Sequence, residues 1–145
     1  MAKVVLITDQ HFGVRNDNQM FSEHMERFYS EVFFPYIDEH KIKEVVMLGD
    51  VFDRRKYSNH VTLYNAKRMY FEELNNRKIL THVIIGNHDT AYKATNIVNT
   101  PELVLAEYPT INCYSKPTEI MLGKTKVVLM PWMCPENYQE SVELM

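Results

Sequence analysis

Cysteine is scarce in this 145-residue chain, which has only Cys113 and Cys134, 21 residues apart. There is no CxxC and no Cys/His spacing of the kind zinc requires, so neither a thiolate metal site nor a disulfide framework is indicated, and reduced thiols of a cytosolic protein are expected. Long apolar runs are missing too. The opening "MAKVVLITDQH" offers only about six apolar residues before Asp9, too few for the core of a secretion signal and far too few for a membrane span. Charge of one sign is also absent in excess, with 16 Lys and Arg against 19 Asp and Glu and a net charge of −3. Those totals do not advertise a polyanion partner, and they do not exclude one. No repeat, low-complexity stretch or interdomain linker breaks the chain. What remains is one soluble, intracellular domain with 46% hydrophobic residues, enough for a respectable core.

Three short apolar runs rich in β-branched residues stand out: "KVVLIT" (3–8), "EVVML" (44–48) and "KILTHVII" (78–85). Each stops at a polar turn, at Asp9, at Gly49-Asp50 and at Gly86-Asn87. Val83, Ile84 and Ile85 suit a strand buried on both faces of a parallel sheet. Between the first two runs, Phe21, Met25, Phe28, Val32, Phe33, Tyr36 and Ile37 recur at helical spacing, with Pro35 expected to bend or shorten the helix. Between the second and third, Leu63, Tyr64, Met69, Tyr70 and Leu74 mark another amphipathic helix over 60–76, capped by Ser58 or Asn59. A short helix over 100–109, begun by Thr100 and Pro101, follows. "INCYS", "TEIML" and "KVVLMPW" read as strands, the last two a hairpin through Gly123-Lys124, and "PENYQESVELM" starts a final helix.

The order is β-α-β-α-β followed by a short helix and further strands. Right-handed crossovers between parallel strands bring all three strand C-termini to one sheet edge, the edge outside which ligands bind in open α/β sheets. Three turns distant in sequence therefore converge. They present Asp9-x-His11, Gly49-Asp50-x-x-Asp53-Arg54 and Gly86-Asn87-His88-Asp89. Asp9, His11, Asp50 and Asn87 supply hard oxygens and a borderline nitrogen, suited to Mn²⁺, Fe²⁺ or Zn²⁺. Asp9 and His11 reach one ion from an extended turn, Asp50 can bridge two, and Asn87 supplies a neutral oxygen to the second. Gly49 and Gly86 fit turns whose backbone must approach the ions closely. Each pattern also has a plainer reading. Gly-Asn-His-Asp can be a polar turn in which Asn87 and Asp89 bond their own backbone, and Gly-Asp-x-x-Asp-Arg a turn followed by a surface ion pair. Coincidence of all of them, in order and each after an expected strand, favours the joint site.

The order "DQH", "GDVFDR", "GNHD" resembles that of the calcineurin-like metallophosphoesterases. The longer strings "DQHFGVR", "GDVFDRRKYS", "GNHDTAYK" and "MPWMCPEN" resemble the SbcD-type nucleases, including the recombination endonucleases of T-even phages. The resemblance implies the first half of a layered α/β metallophosphoesterase sandwich, with residues 1–145 as the N-terminal part of a single nuclease domain. It implies that Asp9 and His11 hold one ion, Asp50 bridges and Asn87 holds the second, both ions being Mn²⁺. His88 would protonate the leaving oxygen or stabilise charge on phosphorus, and Asp53 would orient His88. The implied activity is double-strand exonuclease and single-strand endonuclease action on DNA, with a coiled-coil ATPase partner, in recombination and repair, and in the host cytoplasm if phage-encoded.

The resemblance also has gaps. Two later motifs of that family, Gly-His and Gly-His-x-His, are missing, and no histidine follows Asp89. One ion would keep three ligands and the other only two, so a truncated or split nuclease of low activity is expected. Two alternatives remain: a phosphatase or nucleotide phosphodiesterase of the same superfamily, and a non-catalytic interaction module. His24, His40, His60 and His82 lack site spacing and are expected to be packed or solvated. Tyr64, Met69, Tyr70, Phe71, Leu103 and Leu105 exceed what one sheet face needs. With the family's dimer contact, they point to a homodimer surface on the helices around 60–76 and 100–107, a core role for all of them being the competing reading.

Overall fold

A computed structural model describes residues 3–145. The three β-branched runs form β1 (Val4–Ile7), β2 (Glu44–Met47) and β3 (Leu80–Ile84). They pair in parallel in the order β1-β2-β3, and β4 (Ile111–Tyr114) adds a fourth parallel strand beside β3. Strand alternation divides the residues between two faces. Val5, Ile7, Val45, Met47 and Val83 pack against helices in the main core, whereas Val4, Val46 and Ile84 face the other way. There they meet Ile120, Leu122, Val127 and Leu129 of an antiparallel hairpin, β5 (Thr118–Leu122) and β6 (Thr125–Leu129), which turns through Gly123-Lys124 as expected. This is a layered α/β arrangement of helices, sheet and hairpin. The hairpin stops short of the β1 edge, where Leu6 is 62% exposed.

After β1 comes α1 (Val14–Asp17), a single turn in which Arg15, Asn16 and Asp17 adopt the left-handed conformation. The first crossover is α2 (Gln19–Phe28), a π turn over Tyr29–Phe33, and α3 (Phe34–Glu39). The Asn18 side chain caps α2 by accepting from the amides of Met20 and Phe21. The face turned to the core is not wholly the expected one. Tyr29, Phe33, Phe34 and Ile37 are buried, but Phe21, Phe28, Val32 and Tyr36 lie exposed. The segment carries two apolar stripes of the same period, and only one can meet the sheet. Pro35 does not end the helix. It falls in the first turn of α3, after the π turn has already replaced the usual bonding with Phe34 N–H donating to the Tyr29 carbonyl.

The second crossover runs through α4 (His60–Ala66), a π turn over Lys67–Phe71, and α5 (Glu72–Asn76). Asn59 is its cap, accepting from Val61 N–H at 2.8 Å. Met69, Tyr70, Phe71 and Leu105 are core residues, so most of the residues assigned to a homodimer surface are occupied within the chain. Only Tyr64 and Leu103 of that set are exposed. α6 (Thr100–Leu105) is capped by Asn99 rather than Thr100. The Asn99 carbonyl oxygen accepts from Glu102 N–H and its amide donates to the Glu102 carboxylate, both at 2.9 Å. α7 (Tyr138–Leu144) ends the chain. His82 is buried on the hairpin side of β3, 2.8 Å from the Tyr114 hydroxyl and 3.1 Å from the Glu44 carboxylate, as a packed histidine should be. Both cysteines are free, and among the described residues no helix is long and apolar enough to cross a membrane.

The two glycines after β2 and β3 let the turns they open approach one another closely. Gly49 has φ +102°, and a Cβ there would come within 3.0 Å of the Gly86 Cα. A Cβ on Gly86 would fall 2.2 Å from an Asp50 carboxylate oxygen and 2.3 Å from the Asp50 amide nitrogen. Gly86→Ala is therefore expected to lower stability by about 1–3 kcal/mol through overpacking, measured by urea denaturation. An unchanged midpoint would show that the Asp50 turn yields without cost.

Candidate metal centre

The β1 and β2 turns are laced together by main-chain bonds. Asp9 N–H donates to the Gly49 carbonyl at 3.1 Å, His11 N–H to that of Asp50 at 3.0 Å and Phe12 N–H to that of Val51 at 2.8 Å; Asp53 N–H returns to Phe12 at 3.1 Å. The pairing that began between β1 and β2 thus continues beyond the strands, but in a twisted form. Asp9, His11 and Asp50 all adopt left-handed backbone, with φ of 53°, 46° and 52°. For residues other than glycine that conformation costs energy, of order 1–3 kcal/mol each in sparsely populated regions, and such strain clusters at functional sites.

These turns bring the side chains of Asp9, His11 and Asp50 into one group, with one ligand atom from each lying within 4.8 Å of the others. His11 Nε2 is 3.5 Å from an Asp9 oxygen and 3.8 Å from Asp50 Oδ2. Its other nitrogen, Nδ1, lies 3.2 Å from Asp53 Oδ1. The two groups are close, but Nδ1 is buried without a hydrogen-bond partner, so the contact is one of charge and proximity. No Lys or Arg pairs with Asp9, Asp50 or Asp53 among the described residues, so three carboxylates share one edge without a neutralising side chain. A divalent cation fits that donor set and that charge. Asn87 lines a cleft of about 250 Å³ beside Asp9, Gly49, Asp50 and Gly86.

The third turn is tied to the second by side chains. His88 N–H donates to Asp50 Oδ1 at 2.9 Å, which aims the Asp50 carboxylate with its other oxygen toward His11. Asp89 is completely buried. Its two oxygens accept from Phe52 N–H and Gly86 N–H, each at 2.9 Å. Burial pushes its carboxyl up to about 6, the neighbouring Asp50 charge adding to the rise and the two amides opposing it. The plainer reading of this turn thus holds for Asp89, which bonds main chain and does not face the cleft.

Asp53 and His88 meet differently from the expected side-chain pairing. His88 Nδ1 is 2.7 Å from the main-chain carbonyl of Asp53, while the Asp53 carboxylate turns to His11. A carbonyl only accepts, so Nδ1 of His88 carries the hydrogen and Nε2 of the neutral ring keeps its lone pair. The rings of His11 and His88 stand edge to face with centroids 4.9 Å apart.

Trp132 is the cleft residue that sequence reasoning did not place. Its N–H donates to the Ile85 carbonyl at 2.8 Å, and the residue lines the cleft beside Asn87 and Asp50. The available signal was chemical: it is the single tryptophan of the chain and stands just after a strand.

The calcineurin-like phosphoesterase family matches residues 2–138. Exonuclease subunit 1 of Enterobacteria phage T4 is 32% identical over 141 residues, which cover 97% of this chain and 41% of the phage protein. The chain thus spans less than half the length of that relative. Among solved structures, the nuclease MPE of Pseudomonas putida superposes with a TM-score of 0.54 at 20% identity, over 83% of this chain and 50% of that one. At that identity the likeness is one of fold.

Asp89→Asn retains the shape of the side chain but points an amide at one of two amide donors. The expected loss is about 1–3 kcal/mol, the cost of a buried group left unpaired. The sign with pH follows from the raised carboxyl. A folded-state value near 6 against an ordinary value of 3.8 makes the fold bind the proton more tightly, so this contribution is present below about pH 4 and lost as pH rises through about 6. Urea denaturation between pH 4 and 7 should show that decline in the wild type relative to Asp89→Asn. Parallel pH profiles would overturn the assignment.

Proposed function

This chain belongs to the calcineurin-like phosphoesterase family of metal-dependent hydrolases, and on that footing we propose that it forms the N-terminal part of a DNA nuclease. The observation that carries the reading is the convergence of Asp9, His11 and Asp50 from two strained turns, with no Lys or Arg paired to them among the described residues. The phage relative is an exonuclease subunit and the solved neighbour a nuclease, which favours DNA over a small phosphoester.

In this proposal Asp9, His11 and Asp50 hold one Mn²⁺, and Asp50 with Asn87 hold a second. The ions supply the Lewis acidity that phosphodiester hydrolysis needs. The Asp53 carboxylate lies 3.2 Å from His11 Nδ1, and Nε2 on the other side of the ring faces Asp9 and Asp50. His88, held at Nδ1 by the Asp53 carbonyl, keeps Nε2 available to carry a proton to the leaving oxygen. Asp53 thereby meets both histidines, one through its side chain and one through its main chain. The finer parts of the proposal are cleavage of double strands from their ends and of single strands internally, in recombination and repair in the host cytoplasm. A coiled-coil ATPase subunit and a second copy of the chain are the proposed partners.

Three outcomes are expected. Calorimetric titration with Mn²⁺ should show a larger loss of affinity for Asp50→Asn than for Asn87→Ala, and equal losses would count against a bridging carboxylate. In an enzyme carrying a complete ligand set, His88→Gln should leave Mn²⁺ occupancy intact and reduce turnover by about 10²–10⁴; lost occupancy would make His88 a ligand. The 145-residue chain itself should cleave labelled linear DNA poorly in Mn²⁺, because the second ion has only Asp50 and Asn87. Robust cleavage that disappears in Asp9→Ala would overturn the two-ligand description. Faster turnover of an aryl phosphodiester than of DNA would overturn the nuclease assignment.

A further inference from the structure

Immediately after Asp53 the chain reads Arg54-Arg55-Lys56-Tyr57. Each of the three cations lies over an aromatic ring: Arg54 over Tyr57 at 5.1 Å, Arg55 over Trp132 at 5.2 Å and Lys56 over Tyr92 at 5.9 Å. The rings come from three segments, the turn after β2, the loop after β3 and the loop after β6. The cations are consecutive, so the three pairs neighbour one another along one ridge, and Trp132, the ring under Arg55, lines the cleft with Asp50 and Asn87.

Stability alone does not account for this ridge. Exposed cation–π pairs are worth about 0.5–1 kcal/mol each, enough to tie loops together, but that role does not require the rings to face solvent. Tyr57 and Tyr92 are 65% and 55% exposed. Nor are two of the three charges satisfied. Arg54 pairs with Asp17 at 3.3 Å, but among the described residues neither Arg55 nor Lys56 has a carboxylate within 4.0 Å. Arg55 Nη1 is buried without a hydrogen-bond partner, so its charge is not spent on another group of the protein. In a chain of net charge −3, cations left unpaired beside so many carboxylates stand out.

We propose that this ridge binds an unpaired nucleic-acid strand, with bases stacked on Tyr57, Tyr92 and Trp132 and phosphates on Arg54, Arg55 and Lys56. The inference rests on the nuclease reading and narrows it to the form of DNA that reaches the cleft. Alternating rings and cations match single strands, whose bases have free faces. An intact duplex hides those faces in its stack and offers only phosphates, leaving Tyr57 and Tyr92 without a role. The strand is therefore gripped along the ridge and delivered past Trp132 to the carboxylates.

The test is metal-free binding by the full chain in EDTA, which separates it from cleavage. A labelled oligothymidylate and a duplex of equal length are compared by fluorescence anisotropy, with Trp132 emission recorded in parallel. The expected result is tighter binding of the single strand, with quenching of Trp132. Tyr57→Ala and Tyr92→Ala should each weaken binding by about 5- to 100-fold, the range for loss of one stacked base, while Tyr57→Phe should bind like wild type. Lys56→Gln should reduce the salt dependence by about 0.7 in log–log slope for one phosphate contact. Circular dichroism verifies folding of each variant. Equal or tighter duplex binding, unquenched Trp132, or alanine variants that bind normally would each overturn the proposal. Equal competition by heparin would reduce the ridge to a charged patch and overturn it as well. If the strand binds through the rings but an enzyme with a complete ligand set never cleaves DNA, the nuclease reading fails and the ridge stands. If cleavage persists while the ridge variants bind normally, the reverse holds.

Discussion

The carboxylate of Asp89 sits out of contact with water and takes one amide hydrogen from Phe52 and one from Gly86. Phe52 follows the β2 turn and Gly86 opens the β3 turn, so two oxygens of one side chain fix the spacing between them. Burial is what makes the link firm, since a donor that loses its partner there finds no water to replace it. Burial also opposes ionisation, and the lift of the carboxyl toward 6 measures that opposition. The fold accepts this cost because the link settles where Asp50 and Asn87 stand. With the β1 turn laced to the β2 turn by main-chain bonds, all three turns become one rigid body before any ion arrives.

That rigidity has an electrostatic counterpart. Asp9, Asp50 and Asp53 converge around His11, and no Lys or Arg pairs with them among the described residues. Mutual repulsion pushes such turns apart, and the interlocked backbone and the close approach of Gly49 to Gly86 resist it. A metal binding to this edge therefore meets donors already gathered, and spends little free energy on ordering them. The strained φ values of Asp9, His11 and Asp50 belong to the same design, because relaxing any one of them would swing its side chain away from the other two.

Much of this was legible in the sequence for a simple reason. Parallel strands must end at one edge, so once "KVVLIT", "EVVML" and "KILTHVII" are recognised as strands, Asp9, His11, Asp50 and Asn87 have to meet. Packing choices were less legible. Phe28 and Tyr29 are adjacent, equally apolar in pattern and opposite in fate, because a second aromatic stripe on the same helix carries no mark of which side meets the sheet. Met69, Tyr70 and Phe71 look excessive until the π turn and the aromatic cluster around Phe12 absorb them. The direction of the Asp53 side chain depends on a rotamer, and the arrival of Trp132 on a return from the hairpin. Neither leaves a periodic trace.

The strand order is the sequence order. Among the described residues, no strand of the four-stranded sheet is inserted between two earlier ones, so β2, β3 and β4 each need only the edge left by the strand before. Such a sheet can grow in one direction while the chain is still being made, from its N-terminal end. Each addition closes a loop of one crossover, which keeps the entropic cost of every step similar and modest. Assembly of the site follows the same clock. Asp9 and His11 wait on the turn after the first strand, Asp50 joins them when the second strand docks, and the third brings Asn87, His88 and the carboxylate that locks the set. A pause in synthesis before that third strand would leave a half-sheet with its acidic turns facing solvent and nothing yet to hold them together.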